Sequence, residues 1–113
     1  MSFLLFPQEK FKVAVIKPLT DMMLKFQFWG QLREAAATQT AELEVSKGTT
    51  LESALQALTQ EYPALQPKLL NEDGSVRSSI LLFQNEQQLS TDALLQAAEQ
   101  DASFTLMSPI AGG

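Results

Sequence analysis

The last two residues of this 113-residue chain, Gly112 and Gly113, are two of its five glycines, and they follow Ser108-Pro109-Ile110-Ala111. With glycine at about 7% of ordinary sequence, a terminal pair arises by chance in about half a per cent of chains. A frayed end built from small residues is the plain reading. The chemical reading is more specific. A chain-terminal carboxylate is a poor electrophile until it is joined to a nucleotide as a mixed anhydride, and an enzyme doing this must draw the chain end into a narrow channel. Glycines pass where side chains clash, and they adopt backbone angles other residues avoid. Pro109 discourages the preceding strand from continuing. No side chain from Ile110 to Gly113 is charged, so the Gly113 carboxylate is the lone anion of the tail.

The rest of the chain offers little chemistry of its own. There is no Cys, which removes thiolate nucleophiles, disulfides, iron–sulfur ligation and Cys-type zinc sites. There is no His, the usual general base and commonest metal ligand. No bound metal or cofactor is expected. Glu42 and Glu44 could in principle share acid–base work, but their spacing of two reads as the wet face of a strand. Formal net charge is -5. Residues 1–21 hold Lys10, Lys12 and Lys17 against Glu9 and Asp21, and the remainder sets five basic residues against eleven acidic ones. Such a surface repels phosphate backbones, so nucleic acid is not expected as a partner. No run approaches the roughly 20 apolar residues of a membrane span. Phe3 to Phe6 is short and is followed, not preceded, by charge, unlike a secretory signal. A cytoplasmic protein is expected.

The elements that must present the tail follow from hydrophobic periodicity. Leu24, Phe26 and Phe28 alternate with Lys25, Gln27 and Trp29, predicting a strand that ends at Gly30. Core filling is the favoured role for Trp29, with a cap on the sheet edge or a place in an interface as the alternative. Gln31 to Gln39 reads as a short helical turn and a loop, with Arg33 and Glu34 as an ion pair or solvated turn. Ala41, Leu43 and Val45 predict a second strand. Thr49-Thr50-Leu51-Glu52 is a capping box, Thr49 capping and Glu52 reaching back. The helix behind it stacks Leu51, Ala54, Leu55, Leu58 and Tyr62 on one face until Pro63 stops it. Ala64 to Leu70 is apolar but broken by Pro67, and Asn71-Glu72-Asp73-Gly74 is a turn. Ile80 to Phe83 predicts a strand buried on both faces. Asn85-Glu86 turns the chain toward Leu89, with Asn85 structural, and Asp92 to Ala98 allows one or two helical turns. Ser103 to Ser108 is the last strand.

One domain is expected, spanning residues 22–113. For residues 1–21 three readings stay open: an extra edge strand centred on Phe11 to Val15, sequence upstream of an internal start at Met22 or Met23, or a non-native addition. Strand, strand, helix, strand, strand predicts an α+β fold, one main helix on a mixed sheet. The β-grasp is the common small fold of this kind.

Residues 24–113 resemble the MoaD/ThiS family of sulfur carriers, most of all the small subunit of molybdopterin synthase. The matching stretches are Phe28-Trp29-Gly30-Gln31-Leu32-Arg33-Glu34, the Thr49 to Pro63 helix, Ile80 to Asn85, and the ending Leu106-Met107-Ser108-Pro109-Ile110-Ala111-Gly112-Gly113. Two departures stand out. The family usually has two prolines before the tail, where this chain has Ser108 first, and it enters the last strand through Gly-Asp, where this chain has Gln100-Asp101. The resemblance implies a cycle run by partners. A ubiquitin-activator-like adenylating enzyme uses ATP to convert the Gly113 carboxylate to an acyl adenylate. A persulfide donor then supplies sulfur, leaving a thiocarboxylate. The tail, Pro109 to Gly113, inserts into the large subunit of molybdopterin synthase, and Leu106 and Met107 line an apolar docking patch beside it. Ordinary strand packing is the competing role for those two. The pathway alternative is thiamine thiazole synthesis or another acceptor. The alternative in kind is a ubiquitin-like binding module whose Gly-Gly is incidental.

Overall fold

The computed structural model describes residues 21–108. The reading of residues 11–15 as a strand and the tail calls from Pro109 to Gly113 lie outside the described residues. The elements, in chain order, are β1 (Asp21–Trp29), α1 (Gln31–Ala36), β2 (Thr40–Ser46), α2 (Leu51–Glu61), a 3-10 turn (Pro63–Leu65), α3 (Gln66–Leu69), β3 (Leu81–Gln84), β4 (Gln87–Gln88), a second 3-10 turn (Thr91–Leu95) and β5 (Ser103–Met107). The sheet order is β2-β1-β5-β3-β4. First and last strands run parallel at its centre, and the other neighbours are antiparallel. This is the predicted α+β arrangement, a ubiquitin-like β-grasp.

Period-two alternation sorts each strand into a wet and a dry face. In β1 the dry set is Met22, Leu24, Phe26 and Phe28, and β2 gives Ala41, Leu43 and Val45. In register, Phe26 lies beside Phe104, and Phe28 beside Leu106, which faces Leu82. The rings of Phe26 and Phe104 stack with centroids 5.6 Å apart, and Phe28 meets Tyr62 edge-on at 6.2 Å. The α2 residues Leu51, Ala54, Leu55 and Leu58 close the core from one side. Each fully buried Leu or Phe stabilises the fold by about 1.5–3 kcal/mol relative to exposure. The broken apolar stretch after Pro63 also contributes, through buried Leu65, Leu69 and Leu70. Pro67 does not prevent this, because it falls in the first turn of α3, where its missing N–H is no loss.

Three local expectations shift. The cap of α2 is Thr50, not Thr49: the Thr50 hydroxyl accepts from the Ser53 N–H at 3.1 Å, one residue beyond the predicted box. Two adjacent threonines leave the register of a cap open, and the amide of Leu51 settles it by donating to the Gln96 carbonyl at 3.1 Å. Strand β3 is dry on one face only. Leu82 is buried while Leu81 and Phe83 are half-buried, because among the described residues no layer covers the opposite face of the sheet. A continuous apolar run therefore marks a strand with one apolar but uncovered side. Trp29 is the third. It lies on that uncovered face at 43% exposure, not in the core.

The predicted turns are present. Gly74 takes φ +89°, its N–H donating to Asn71 O, and Asp73 accepts from both the N–H and hydroxyl of Ser75. Those bonds, the hydroxyl's first, hold the Asp73 carboxyl below its ordinary pKa. Asn85 and Glu86 both have positive φ, as a tight β3–β4 hairpin demands.

The entry to β5 carries the most informative departure. Asp101 adopts φ +56°, and its carboxylate accepts from the Met23 N–H at 3.1 Å. The next carbonyl, Ala102 O, accepts from Lys25 N at 3.0 Å. The acid thus pins the start of β5 to β1 while tolerating a left-handed backbone, as Asp does better than most residues. Asp101→Ala is expected to lower the unfolding free energy by about 1–3 kcal/mol, combining backbone strain with the lost bond. Asp101→Gly removes the strain and is expected to lose about 1 kcal/mol or less. Urea melts of the pair test this, and equal losses would reject the strain component.

Candidate functional site

Parallel pairing of β1 with β5 fixes where the tail begins. The strands end together, Trp29 opposite Met107, and the start of β3 joins them through Leu81, also opposite Met107. The row Trp29–Met107–Leu81 lies on the uncovered face at the very edge from which Ser108 leads out. Phe83 sits in the next row, beside Thr105. Met107, Leu81 and Phe83 are half-buried and Trp29 is exposed, so an apolar patch lies at the tail root. Leu106 does not line it. That side chain is fully buried, facing α2 with Phe28 and Leu82, and it supports the patch from beneath. Alternation requires this: neighbouring residues of a strand point to opposite faces. Of the two proposed patch residues, only Met107 is on the surface side.

Gly30 makes the corner at this edge. Its φ of 64° and ψ of -134° place it where side chains are strained, although a Cβ would have room, meeting Ser108 O at 3.8 Å. The turn starts α1, whose Arg33 and Glu34 amides donate to the Gly30 carbonyl at 3.1 and 3.4 Å. Leu32 and Ala36 bury α1 against the core, and this turns Arg33 back over the Trp29 ring, 5.5 Å from its centroid. Such a cation over an indole is worth about 0.5–1 kcal/mol when exposed. Arg33 was expected in an ion pair or a solvated turn, and its guanidinium is found over the Trp29 ring instead. Sequence reasoning placed Trp29 inside because large aromatics usually are. The alternation already set Trp29 opposite Phe26 and Phe28, and the alternative role at the sheet edge or in an interface is the one its exposed ring fits.

Nothing near this edge resembles a catalytic constellation. Among the described residues no group of three His, Cys, Asp or Glu could hold a metal ion. A groove of about 440 Å³ lies on the same uncovered face toward the other end of the strands. It is lined by Lys25, Gln27, Glu42, Glu86, Ser103 and Thr105 among others, with Lys25 opposite Glu42 in register. It contains a solvated cross-strand pair and no nucleophile with an adjacent base. Among the described residues no helix is long and apolar enough to cross a membrane.

Gly30→Ala is expected to reduce stability by about 1–3 kcal/mol through backbone strain alone. Chemical denaturation measures it, and a loss below about 0.5 kcal/mol would mean the corner relaxes without glycine.

No family model matches the chain. It is 27% identical over 90 residues to small archaeal modifier protein 1 of Haloferax volcanii, an alignment spanning 80% of this chain and 100% of that protein. The crystal structure of that protein superposes with a TM-score of 0.71 at 25% identity, covering 80% of this chain and 99% of the other. A putative molybdopterin converting factor subunit 1 from Pyrococcus furiosus shares the fold at TM-score 0.60 and 13% identity, covering 79% and 99%. The chain is therefore a ubiquitin-like β-grasp protein homologous to the small archaeal modifier proteins.

Proposed function

We propose that this protein is a sulfur carrier whose C-terminal Gly113 is adenylated by a ubiquitin-activator-like enzyme and converted to a thiocarboxylate with sulfur from a persulfide donor. The observation that carries the reading is the pairing of an uncharged Gly-Gly ending with an apolar, solvent-facing row at the root of the tail. Adenylation turns the carboxylate into a mixed anhydride. The terminal sulfur of the donor's persulfide attacks the acyl carbon and displaces the nucleotide, giving an acyl disulfide. A second thiol then reduces its S–S bond, leaving the thiocarboxylate on Gly113 and a disulfide between that thiol and the donor cysteine. The carrier's residues supply no acid or base. Met107, Leu81 and Trp29 give a partner something apolar to grip, while Pro109, Ile110, Ala111 and Gly112 are slender enough to enter its channel. The preferred acceptor is the large subunit of molybdopterin synthase, which would use the sulfur for the dithiolene of molybdopterin. Likeness in fold to a putative molybdopterin converting factor subunit supports that choice.

A second reading has its own support. The homologues aligned over their full length are named as modifier proteins. The same activated Gly113 could then be transferred to an amine of another protein. Both readings need the free carboxylate, and they diverge at the acceptor.

Intact-mass analysis after co-expression with the adenylating enzyme and a persulfide donor is expected to show one oxygen of the chain replaced by sulfur. Deleting Gly113 is expected to abolish the replacement and, in the source cell, molybdenum-enzyme activity. Covalent adducts on lysines of other proteins, with molybdenum-enzyme activity intact after the deletion, would favour the modifier instead. A deletion without effect on either would reject both.

A further inference from the structure

The uncovered face of the sheet carries two features in sequence. At the exit edge lies the apolar row Trp29–Met107–Leu81, with Phe83 in the row behind it. Between that row and the start of β1 runs the groove, with Glu42 of β2 on one side and Glu86 of the β3–β4 turn on the other. Lys25 is the one cation among the described residues lining it, and Glu44 lies further along β2. A contiguous apolar patch marks a surface that something covers. Residues 1–20, which precede β1, have the matching pattern. They hold three of the chain's seven phenylalanines, carry Phe3, Leu4, Leu5 and Phe6 as a run, and then set Lys10, Lys12 and Lys17 against Glu9. Residues 21–108 set twelve acidic residues against five basic ones. The order matches as well. Read outward from Asp21, the segment gives cations and then the apolar run, while the face gives the acid-flanked groove and then the apolar row.

We propose that residues 1–20 fold back along this face as an arm, with Lys10 and Lys12 over the groove and residues 3–6 on the row Trp29–Met107–Leu81, closing the tail root until a partner displaces them. The covering stands on the face and the segment alone, and the competition with a partner rests on the carrier reading above. Length permits it. From Asp21 to Trp29 β1 climbs about 27 Å, at about 3.4 Å per residue. Residues 7–20 reach up to about 46 Å when extended. That spans the distance and leaves chain for a reversal at Pro18, a residue type suited to turns. A tethered occupant needs little affinity of its own, because the linker keeps it at high local concentration. An arm closed about nine-tenths of the time holds a partner's apparent affinity about tenfold below that for the open chain. The arm is thus a brake on uptake of the tail, released by whatever binds the row more strongly.

Trp29 is the chain's single Trp, so its fluorescence reads the row directly. The test is quenching of that fluorescence in the full-length chain by acrylamide, which is uncharged and therefore blind to local potential. Combining Phe3→Ser, Leu4→Ser, Leu5→Ser and Phe6→Ser is expected to raise the quenching constant about threefold or more. Combining Lys10→Glu, Lys12→Glu and Lys17→Glu is expected to raise it about twofold, as exposed charge pairs allow. Thermal midpoints check that each variant is folded. A nitroxide on Leu5→Cys, placed unambiguously because the chain has no Cys, is expected to broaden the Trp29 indole N–H resonance. Unchanged quenching in both variants would overturn the arm. Quenching of the wild type that rises on dilution would assign the cover to a second copy, against the proposal. Broadening confined to the free edge of β2 would make the segment an added edge strand, again against it. The intact-mass assay tests the brake: the four-Ser variant is expected to gain sulfur about tenfold faster at limiting adenylating enzyme. Equal rates with an exposed Trp29 would overturn the brake. If neither wild type nor variant gains sulfur, the carrier reading and the brake fall, and the covering is decided by Trp29 alone.

Discussion

The parallel contact between β1 and β5 is the constraint on which the molecule depends. It joins residues about eighty positions apart in the chain, and nothing local enforces it. What holds it is side-chain complementarity on the dry face: Phe26 stacked on Phe104, and Phe28 beside a fully buried Leu106. The Asp101 carboxylate adds a polar peg at the start of the pair. Because the two strands are parallel and end together, the chain terminus must leave the sheet beside the end of β1. A fold with the last strand reversed would send the tail out at the opposite edge, near Asp21 and the β3–β4 turn with Glu86.

This constraint separates the two faces by task. The dry face, closed by α2 and the segment after Pro63, contains nearly all the buried leucines and supplies stability. Among the described residues the wet face is left without a layer, and apart from Met23 its apolar residues concentrate in the row Trp29–Met107–Leu81 at the exit edge, with Phe83 behind. Elsewhere that face presents Lys25, Gln27, Glu42 and Glu44. An uncovered row of this kind costs solubility unless something covers it part of the time. Its place at the tail root ties it to whatever engages Gly113.

Much of this was legible in the sequence, for a physical reason. Alternation in β1, β2 and β5 and the helical stripe of α2 are driven by burial, and burial leaves a periodic trace. Legibility fell where one-dimensional patterns are degenerate. Thr49 and Thr50 are equally able caps, and the tertiary bonds of this stretch, Leu51 N–H to Gln96 O and Ala98 N–H to Thr49 O, choose between them. The run Ile80 to Phe83 is apolar on both faces, but a sequence cannot say whether a second layer exists to cover the outer one. Leu106 and Met107 are adjacent apolar residues before the tail, and strand geometry sends the first inward and the second outward. Arg33 over Trp29 was out of reach, since it depends on the angle at which α1 leaves Gly30.

Ser108 illustrates how such a site can change at little cost. A proline there would fix φ and remove an N–H, stiffening the tail root. Serine gives up the ring, but Pro109 follows it, and the residue before a proline is itself driven toward extended backbone. Most of the stiffness is therefore retained from the neighbouring position. In exchange the corner gains a hydroxyl that is buried without a hydrogen-bond partner. A chain with neither His nor Cys has few side-chain types on which to build catalysis. Under the proposed carrier role, the side chains framing the exit are where a substitution could alter which partner takes the tail without disturbing the core.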